Sequence, residues 1–240
     1  MTTLFISDLH LEDDRPDIAD QFLRFLETEA LQADALYILG DLFESWVGDD
    51  DPNEHYQWIK QALCKLTKKG VPVYFMHGNR DFMIGEAFAG ETGVTILPDP
   101  HVATIHGDQV LLSHGDAYCT DDLEYQAFRK MSRDPQWQAM MLAKSLEERL
   151  AFAAQARQAS KARGGTMSEK IMDVNADAID AALREAGVQI MLHGHTHRPA
   201  IHELSVDGAA AQRIVLGDWY EQGSVLRWDD DGPVLATLER

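Results

Sequence analysis

The chain has 240 residues, of which 45% are hydrophobic and 25% are charged, values that are ordinary for a globular domain with a full core. The 40 acidic and 21 basic side chains give a net charge of −19 at pH 7. Because nucleic-acid affinity depends on neutralising phosphates with lysine and arginine, this charge argues against a nucleic-acid partner. It also predicts repulsion from anionic lipid, unless one region carries the opposite charge.

The N-terminal residues and the cysteines indicate a cytoplasmic protein. The chain begins with a predicted strand at Thr3-Leu4-Phe5-Ile6 and lacks the basic and apolar segments of a signal peptide. Cys64 and Cys119 are too few for a disulfide framework, so we expect reduced thiols. No uncharged apolar run approaches the roughly 20 residues that span a bilayer.

Short apolar runs alternate with segments of helical spacing along the chain. The continuous runs predict strands that are covered on both faces: Leu4–Ile6, Ala35–Leu39, Val71–Met76, Val110–Leu112 and Val188–Leu192. Helices are predicted from Asp17 as N-cap, over Tyr56–Lys69 before Gly70, and over Asp177–Ala186 before Gly187. Further short strands are predicted around Ile214, Val225 and Val234. This alternation predicts an α/β fold in one domain over residues 1–240.

One segment, residues 123–165, lacks any strand pattern and predicts two helical pieces that meet near Pro135. Residues 127–163 carry eight basic and three acidic side chains, a local charge of +5 that leaves −24 for the rest of the chain. We interpret the segment as an inserted helical lid. The alternative is an additional pair of helices that simply packs on the core.

Polar side chains follow five of the predicted strands. In an open α/β sheet, ligands bind beyond the carboxyl ends of the strands, so we expect these side chains to converge. The groups are Asp8-Leu9-His10, Gly40-Asp41, Gly78-Asn79-Arg80-Asp81, His114-Gly115-Asp116 and Gly194-His195-Thr196-His197. Each of the first two groups alone is common in turns and on surfaces. The last group is more specific for a metal site, and all five groups in this order are strong evidence for one.

The mixture of carboxylate, amide and imidazole donors suits Mn, Fe or Zn better than Ca or Mg. Seven ligands exceed the needs of one ion but fit two ions about 3.5–4 Å apart. The seven candidates are Asp8, His10, Asp41, Asn79, His114, His195 and His197. For His77 and His193, which begin two of the motifs, we favour structural roles.

This ordered set resembles the calcineurin-like metallophosphoesterase superfamily, which implies a four-layer sandwich of two mixed sheets flanked by helices. Longer motifs are similar to the UDP-2,3-diacylglucosamine pyrophosphohydrolase family of lipid A biosynthesis. Those motifs are Phe5-Ile6-Ser7-Asp8-Leu9-His10-Leu11, Ala35-Leu36-Tyr37-Ile38-Leu39-Gly40-Asp41-Leu42-Phe43-Glu44, Trp46-Val47-Gly48-Asp49-Asp50, His77-Gly78-Asn79-Arg80-Asp81-Phe82, Cys119-Thr120-Asp121-Asp122 and His193-Gly194-His195-Thr196-His197-Arg198-Pro199.

The resemblance implies two Mn²⁺ ions per chain, bridged by Asp41. One ion would be held by Asp8, His10, Asp41 and His197, and the other by Asp41, Asn79, His114 and His195. Asp41, Arg80 and His195 are the expected catalytic residues. Contacts to substrate are expected from Asn79, Arg80, Asp122, Arg157, Ser160 and His195. Gly164 and Met167 stand where the family tends to have a polar residue and lysine, so neither is assigned a binding role.

The family's reaction implies attack by hydroxide on the phosphorus nearer uridine, which gives UMP and 2,3-diacylglucosamine 1-phosphate. Arg80 agrees with this reaction because many relatives in the superfamily carry an acidic histidine there, whereas arginine does not release its proton. A sugar phosphate, whose second pKa is about 6, leaves without protonation. The alternative for Arg80 is a structural ion pair with Asp81 or Asp116.

The resemblance also implies a location at the cytoplasmic face of the inner membrane, as a peripheral protein. The basic and apolar lid would then contact acyl chains, phosphate or anionic lipid, for which Arg129, Lys130 and Arg133 are candidates. We expect a monomer. Two competing functions remain open: a nucleotide or phosphodiester hydrolase with relaxed substrate choice, and a metal-free scaffold of the same fold.

Overall fold

The computed structural model describes residues 2–164 and 173–240. The described residues form eleven strands: β1 Thr3–Ile6, β2 Ala35–Ile38, β3 Val73–Met76, β4 Thr95–Leu97, β5 His101–Ile105, β6 Asp108–Ser113, β7 Ile190–His193, β8 Ala200–Val206, β9 Ala209–Val215, β10 Gly223–Asp229 and β11 Gly232–Leu238. They form seven α-helices: α1 Pro16–Glu27, α2 Glu54–Lys68, α3 Glu86–Thr92, α4 Leu123–Ser132, α5 Pro135–Leu142, α6 Leu146–Gly164 and α7 Ala176–Ala186.

The strands build two mixed sheets. The first has the order β11-β10-β1-β2-β3-β4, with β1 to β4 parallel and β10 and β11 antiparallel to their neighbours. The second has the order β5-β6-β7-β9-β8, in which β6, β7 and β9 are parallel. All five strands that precede the candidate ligands therefore lie in parallel pairs.

Three apolar clusters fix the order of the layers. Phe5, Met76, Leu112, Leu192 and Trp228 belong to the cluster between the two sheets. A second cluster lies between the first sheet and α1 to α3, and a third lies between the second sheet and α7. The layers are thus helices, sheet, sheet and helix, which confirms the expected metallophosphoesterase sandwich.

Most helix boundaries follow from capping residues. Asn53 and Asn175 accept hydrogen bonds from backbone N–H groups in the first turns of α2 and α7, and Gly70 and Gly187 end these helices with positive φ. The predicted N-cap of α1 is wrong. Asp17 lies within the first turn because Pro16 already occupies the first helical position. The carboxylate of Asp17 accepts a hydrogen bond from Arg15 Nε.

The segment from 123 to 164 contains three helices where two pieces were predicted, because Asp134 caps α5 and Ala143–Ser145 separate it from α6. We call residues 123–164 the helical segment. Its inner side packs on the domain through Trp137 and Phe152, whose rings lie 5.7 Å apart. Met140, Leu142 and Leu150 remain exposed. The predicted end of the segment at residue 165 and the unmatched position Met167 lie outside the described residues.

Two arginines hold the helical segment to the sandwich. Arg149 in α6 is 3% exposed and donates to the carbonyl of Val47 at 2.8 Å and to the carboxylate of Asp50 at 2.7 Å. Arg129 in α4 donates to Asp116 at 2.9 Å. Among the described helices, none combines the length and apolar character needed to cross a bilayer.

Gly78, which follows β3, is required by close packing at the candidate site. A Cβ atom at this position would overlap the backbone nitrogen and the carboxylate of Asp41. We expect Gly78→Ala to lower the free energy of unfolding by about 2–3 kcal/mol, the usual cost of overpacking. Gly90 in α3 is the matched control because nothing lies within 4 Å of its added Cβ. Gly90→Ala should raise stability by about 0.5–1 kcal/mol in urea unfolding. Equal effects at the two positions would contradict this account.

Candidate active site

The candidate ligands share an unusual backbone conformation. Seven non-glycine residues of the described chain have clearly positive φ, and five of them are predicted ligands: Asp8, His10, Asp41, His195 and His197. The left-handed region costs an ordinary residue roughly 1–2 kcal/mol. Such conformations concentrate where a structure must aim particular side chains, so their coincidence with the predicted ligands marks this edge of the sheets as a functional site.

Hydrogen bonds between the loops hold these conformations. After β1, the backbone nitrogens of Asp8 and His10 donate to the carbonyls of Gly40 and Asp41 at 3.1 and 3.0 Å. The nitrogen of His195 donates to Asp8 Oδ2 at 2.9 Å, which ties the last motif to the first. The two sheets thus meet through the ligand loops themselves.

The ligand atoms form two neighbouring groups. Asp8, His10 and His197 make one, and Asp41, His114 and His195 make the other; within each group all ligand atoms lie within 4.8 Å of one another. Asn79 joins the second, because its Oδ1 lies 2.9 Å from His114 Nε2. Asp41 lies between them, with its two oxygens each 3.8 Å from the Nε2 atoms of His10 and His114. The seven predicted ligands therefore converge.

Three of the imidazoles turn one ring nitrogen outward to an oxygen and the other toward the centre. Nδ1 of His114 lies 2.9 Å from the carbonyl of Leu39, and Nδ1 of His10 lies 2.8 Å from Glu44 Oε2. Nδ1 of His197 lies 3.5 Å from the carboxylate of Asp218. Such outer partners fix the tautomer and direction of a metal-binding histidine, which leaves Nε2 for the ion.

The charges at this site favour cations. Asp8 and Asp41 are 0% and 2% exposed, and Asp8 Oδ1 has no aligned hydrogen-bond donor among the described residues. Burial works against protonating His114, yet the carboxylates of Asp41, Asp116 and Asp8 outweigh it and raise its pKa to about 9. Burial and the neighbouring His114 lower the pKa of His195 to about 4. Two buried carboxylates surrounded by imidazoles and an amide are a donor set that fits two divalent ions.

Asp81 supports the turn that carries Asn79. Its carboxylate accepts the backbone N–H groups of Gly78 and Leu42 at 2.8 and 2.7 Å, so it joins the loops after β2 and β3. Burial and the adjacent Asp41 carboxylate raise the pKa of Asp81 to about 7. Asp81 is therefore part of the framework rather than a ligand.

Arg80 does not form the structural ion pair that was the alternative reading of its role. The carboxylate of Asp81 is occupied by backbone N–H groups, and that of Asp116 accepts from Tyr125 and Arg129. Nε of Arg80 is buried and has no hydrogen-bond partner within residues 2–164 and 173–240. Its backbone nitrogen donates to Asp41 Oδ1 at 2.8 Å, so Arg80 itself lies next to the ligand groups.

An apolar cavity of about 300 Å³ opens beside Asn79 and Arg80. We call it the apolar cavity; its walls include Phe82, Phe128, Trp137, Met141 and Phe152. Two residues predicted to contact substrate, Arg157 and Ser160, also line it. Asp122 lies elsewhere, as the N-cap of α4 that accepts from the nitrogen of Tyr125 at 2.9 Å.

The two histidines assigned to structural roles make contacts of that kind. His77 Nε2 lies 2.7 Å from the carbonyl of Ile84. His193 is completely buried, with Nδ1 2.8 Å from the carbonyl of Gly194, and burial lowers its pKa to about 3. Neither belongs to the two ligand groups.

Sequence reasoning missed three residues that surround the ligands. Glu44 Oε2 lies 2.8 Å from His10 Nδ1, and Glu44 Oε1 accepts a hydrogen bond from Arg157 Nη1 at 3.3 Å. Tyr220 stacks on His10 with ring centroids 5.3 Å apart, and Asp218 faces His197. The position of Glu44, three residues after Asp41 in a quoted motif, was a signal. No local pattern marks Asp218 or Tyr220.

The chain belongs to the calcineurin-like phosphoesterase family, whose model matches residues 1–199. Across all of both chains it is 55% identical to a UDP-2,3-diacylglucosamine hydrolase of Stenotrophomonas maltophilia (strain R551-3). It is 53% identical to a protein of the same name from Xanthomonas axonopodis pv. citri (strain 306), with 99% of each chain covered.

A solved structure supports the fold independently. An archaeal phosphodiesterase superposes with a TM-score of 0.50 at 13% identity, and the match covers 99% of this chain and 100% of the other. Similarity at this level concerns the arrangement of sheets and helices alone.

Glu44 is expected to position a metal ligand. Replacing it by glutamine keeps the shape but removes the charge that orients His10, so we expect Glu44→Gln to weaken Mn²⁺ binding by about 10- to 100-fold. Titration calorimetry of metal-stripped protein measures this. Glu12→Gln is the matched control, because Glu12 approaches Arg157 at 3.8 Å and touches no candidate ligand. Equal Mn²⁺ affinity in the two variants would contradict the role of Glu44.

Proposed function

We propose that this chain hydrolyses the diphosphate bond of UDP-2,3-diacylglucosamine and releases UMP and 2,3-diacylglucosamine 1-phosphate, a step of lipid A biosynthesis. The observation that carries the proposal is the apolar cavity directly beside Arg80 and the ligand groups, since the substrate joins acyl chains to a diphosphate. Full-length similarity at 55% to an enzyme named for hydrolysis of this compound supports the same substrate.

The metal ligands are proposed as expected from the sequence. Asp8, His10, Asp41 and His197 would hold one Mn²⁺, and Asp41, Asn79, His114 and His195 would hold the second, in agreement with the two groups of ligand atoms. Two divalent ions in such a site supply hydroxide near neutral pH and neutralise phosphoryl oxygens. Nitrogen and oxygen donors together favour manganese over magnesium.

The protein's own contribution begins with binding the diphosphate. Arg80 directs its guanidinium at the substrate's phosphoryl oxygens, where two parallel N–H groups hold an anion more firmly than a single donor. Positive charge there also stabilises the charge that develops on the phosphoryl group. The carboxylate of Asp41 holds the backbone of Arg80 in place by accepting a hydrogen bond from its nitrogen.

The leaving group explains the absence of an acid at position 80. The arginine keeps its proton throughout, so it assists only a group that leaves readily as an anion. A sugar phosphate meets this requirement, whereas the alkoxide of an ordinary phosphodiester does not. His195, whose ring stacks on Tyr125 at 6.0 Å, completes the wall beside the phosphoryl group.

The helical segment would serve as a lid over the acyl chains. Arg157, Ser160 and the aromatic residues of the apolar cavity face the substrate, and Asn79 and His195 complete the predicted contacts. Asp122 would act through the start of α4, which it caps. We further propose a peripheral, monomeric protein at the cytoplasmic face of the inner membrane, with residues 1–240 as one domain.

Product analysis tests the reaction. Incubation with UDP-2,3-diacylglucosamine and Mn²⁺ in ¹⁸O-water should yield UMP that carries one ¹⁸O atom, because the oxygen is added to the phosphorus nearer uridine. Mass spectrometry of both products locates the label. Asp41→Asn should abolish turnover, since it removes the bridging carboxylate. Release of UDP, or ¹⁸O in the sugar phosphate, would contradict the proposed bond, and equal activity on a simple diester would indicate relaxed substrate choice.

Membrane association should depend on exposed lysines of the helical segment. Arg129 and Arg133 are engaged internally, with Asp116 and with the carbonyl of Gly78, so they are poor candidates for lipid contact. Lys130 and Lys144 are exposed. The double change of both lysines to glutamine should weaken sedimentation with anionic liposomes by about tenfold or more, given roughly 1 kcal/mol per lysine near a charged surface.

The control for this membrane experiment uses two lysines outside the helical segment. Lys68 and Lys69, at the end of α2, are also exposed, and their change to glutamine removes the same charge. If both double variants lose liposome binding equally, the effect reflects net charge and the helical segment has no special role.

A further inference from the structure

A second cavity adjoins the candidate active site and is not used by the roles assigned so far. It has a volume of about 800 Å³, within the roughly 300–1,000 Å³ of small-molecule sites. Its walls include Pro199, Asp218, Tyr220, Glu221 and Gln222. We call it the polar cavity.

The polar cavity lies against the group of Asp8, His10 and His197 through residues that do not line the apolar cavity. Tyr220 lies against His10 and His197, with ring centroids at 5.3 and 5.7 Å, and Asp218 faces His197 Nδ1 at 3.5 Å. The apolar cavity is lined by Asn79, beside His114, and by Glu44, which contacts His10. A substrate whose phosphorus lies between the two ligand groups can therefore extend into both cavities.

The charges of the walls argue against a second phosphate as the occupant. None of the described residues that line the polar cavity is basic, and Asp218 and Glu221 are acidic, so an anion would be repelled. These carboxylates are instead acceptors for sugar hydroxyl groups, as carboxylates are for the ribose of dinucleotides. Tyr220, 38% exposed, offers an aromatic surface for a base.

From this geometry we infer that the polar cavity binds the uridine half of the substrate, with ribose hydroxyl groups on Asp218 or Glu221 and the uracil ring on Tyr220. Gln222 supplies both a donor and an acceptor, as the edge of uracil requires. This inference rests on the proposed function, because it divides that substrate between the two cavities. The nucleoside part is uncharged, so it needs no basic residue in the polar cavity. The phosphates of the substrate remain at the metal ligands and Arg80.

Product inhibition tests this assignment. The inhibition constants of UMP and of 2,3-diacylglucosamine 1-phosphate are measured separately against hydrolysis of UDP-2,3-diacylglucosamine. Tyr220→Leu should raise the constant for UMP by about tenfold or more, as expected on loss of an aromatic platform, and Tyr220→Phe should restore it. Gln222→Ala should raise it by roughly 2- to 10-fold. Neither change should alter inhibition by the lipid product.

Two controls separate uridine binding from indirect effects. Phe152→Ala, in the apolar cavity, should weaken inhibition by the lipid product and leave UMP unaffected. Manganese content, measured by elemental analysis, should be unchanged in Gln222→Ala, because Gln222 belongs to neither ligand group. Parallel loss of both product affinities in Tyr220→Leu would mean that Tyr220 acts through the ligands, which would overturn the inference.

The outcomes also distinguish the inference from the proposed function. If the wild-type protein hydrolyses the substrate but UMP does not inhibit, or inhibits all variants equally, the polar cavity is not the uridine site while the reaction stands. If the protein does not hydrolyse the substrate, the proposed function fails. Calorimetric titration of the Mn²⁺-loaded protein with UMP then decides on the cavity, and a loss of affinity in Gln222→Ala would still support it.

Discussion

The burial of two carboxylates is the constraint around which this molecule is arranged. Asp8 and Asp41 lie between the two sheets with almost no exposure, where an unpaired charge costs several kcal/mol. The chain accepts this cost together with the left-handed backbone at both residues. Hydrogen bonds between loops, such as that from His195 N to Asp8 Oδ2, keep the carboxylates in place without neutralising them. Neutralising these carboxylates is left to cations, and the surrounding imidazoles are already oriented to bind them.

Much of this arrangement could be predicted from the sequence because it is encoded locally. Each ligand follows a strand directly, so the parallel pairing of β1, β2 and β3, and of β6 and β7, brings the strand ends together. The five central strands were readable as continuous apolar runs. By contrast, α3 has only seven residues with Gly90 among them, and β8 is an alternating, partly exposed edge strand that contains His202 and Glu203. Short or edge elements depend on tertiary contacts that a local pattern does not carry.

The parts of the site that were missed are those that depend on distant pairs. Glu44 meets Arg157 across 113 positions in the chain. Tyr220, which precedes β10, meets His10, which follows β1, because these two distant strands pair antiparallel. The charge of the helical segment shows the same limit. Its basic residues do outnumber its acidic ones, but Arg129 neutralises the buried Asp116, and Arg149 is itself buried and paired with Asp50. A local net charge therefore overstates what reaches the surface.

Arg80 stands apart from these internal arginines, and the difference bears on mechanism. Arg149 and Arg129 each bind a carboxylate of the protein, so they are compensated in the free molecule. Arg80 has a buried Nε without a partner in the described chain, and an unsatisfied buried donor costs about 1–3 kcal/mol. A diphosphate can therefore pair with this guanidinium without first breaking an ion pair inside the protein. Within the described residues, Arg80 thus lies without an ion pair beside the candidate metal ligands, where its positive charge would stabilise a transferred phosphoryl group.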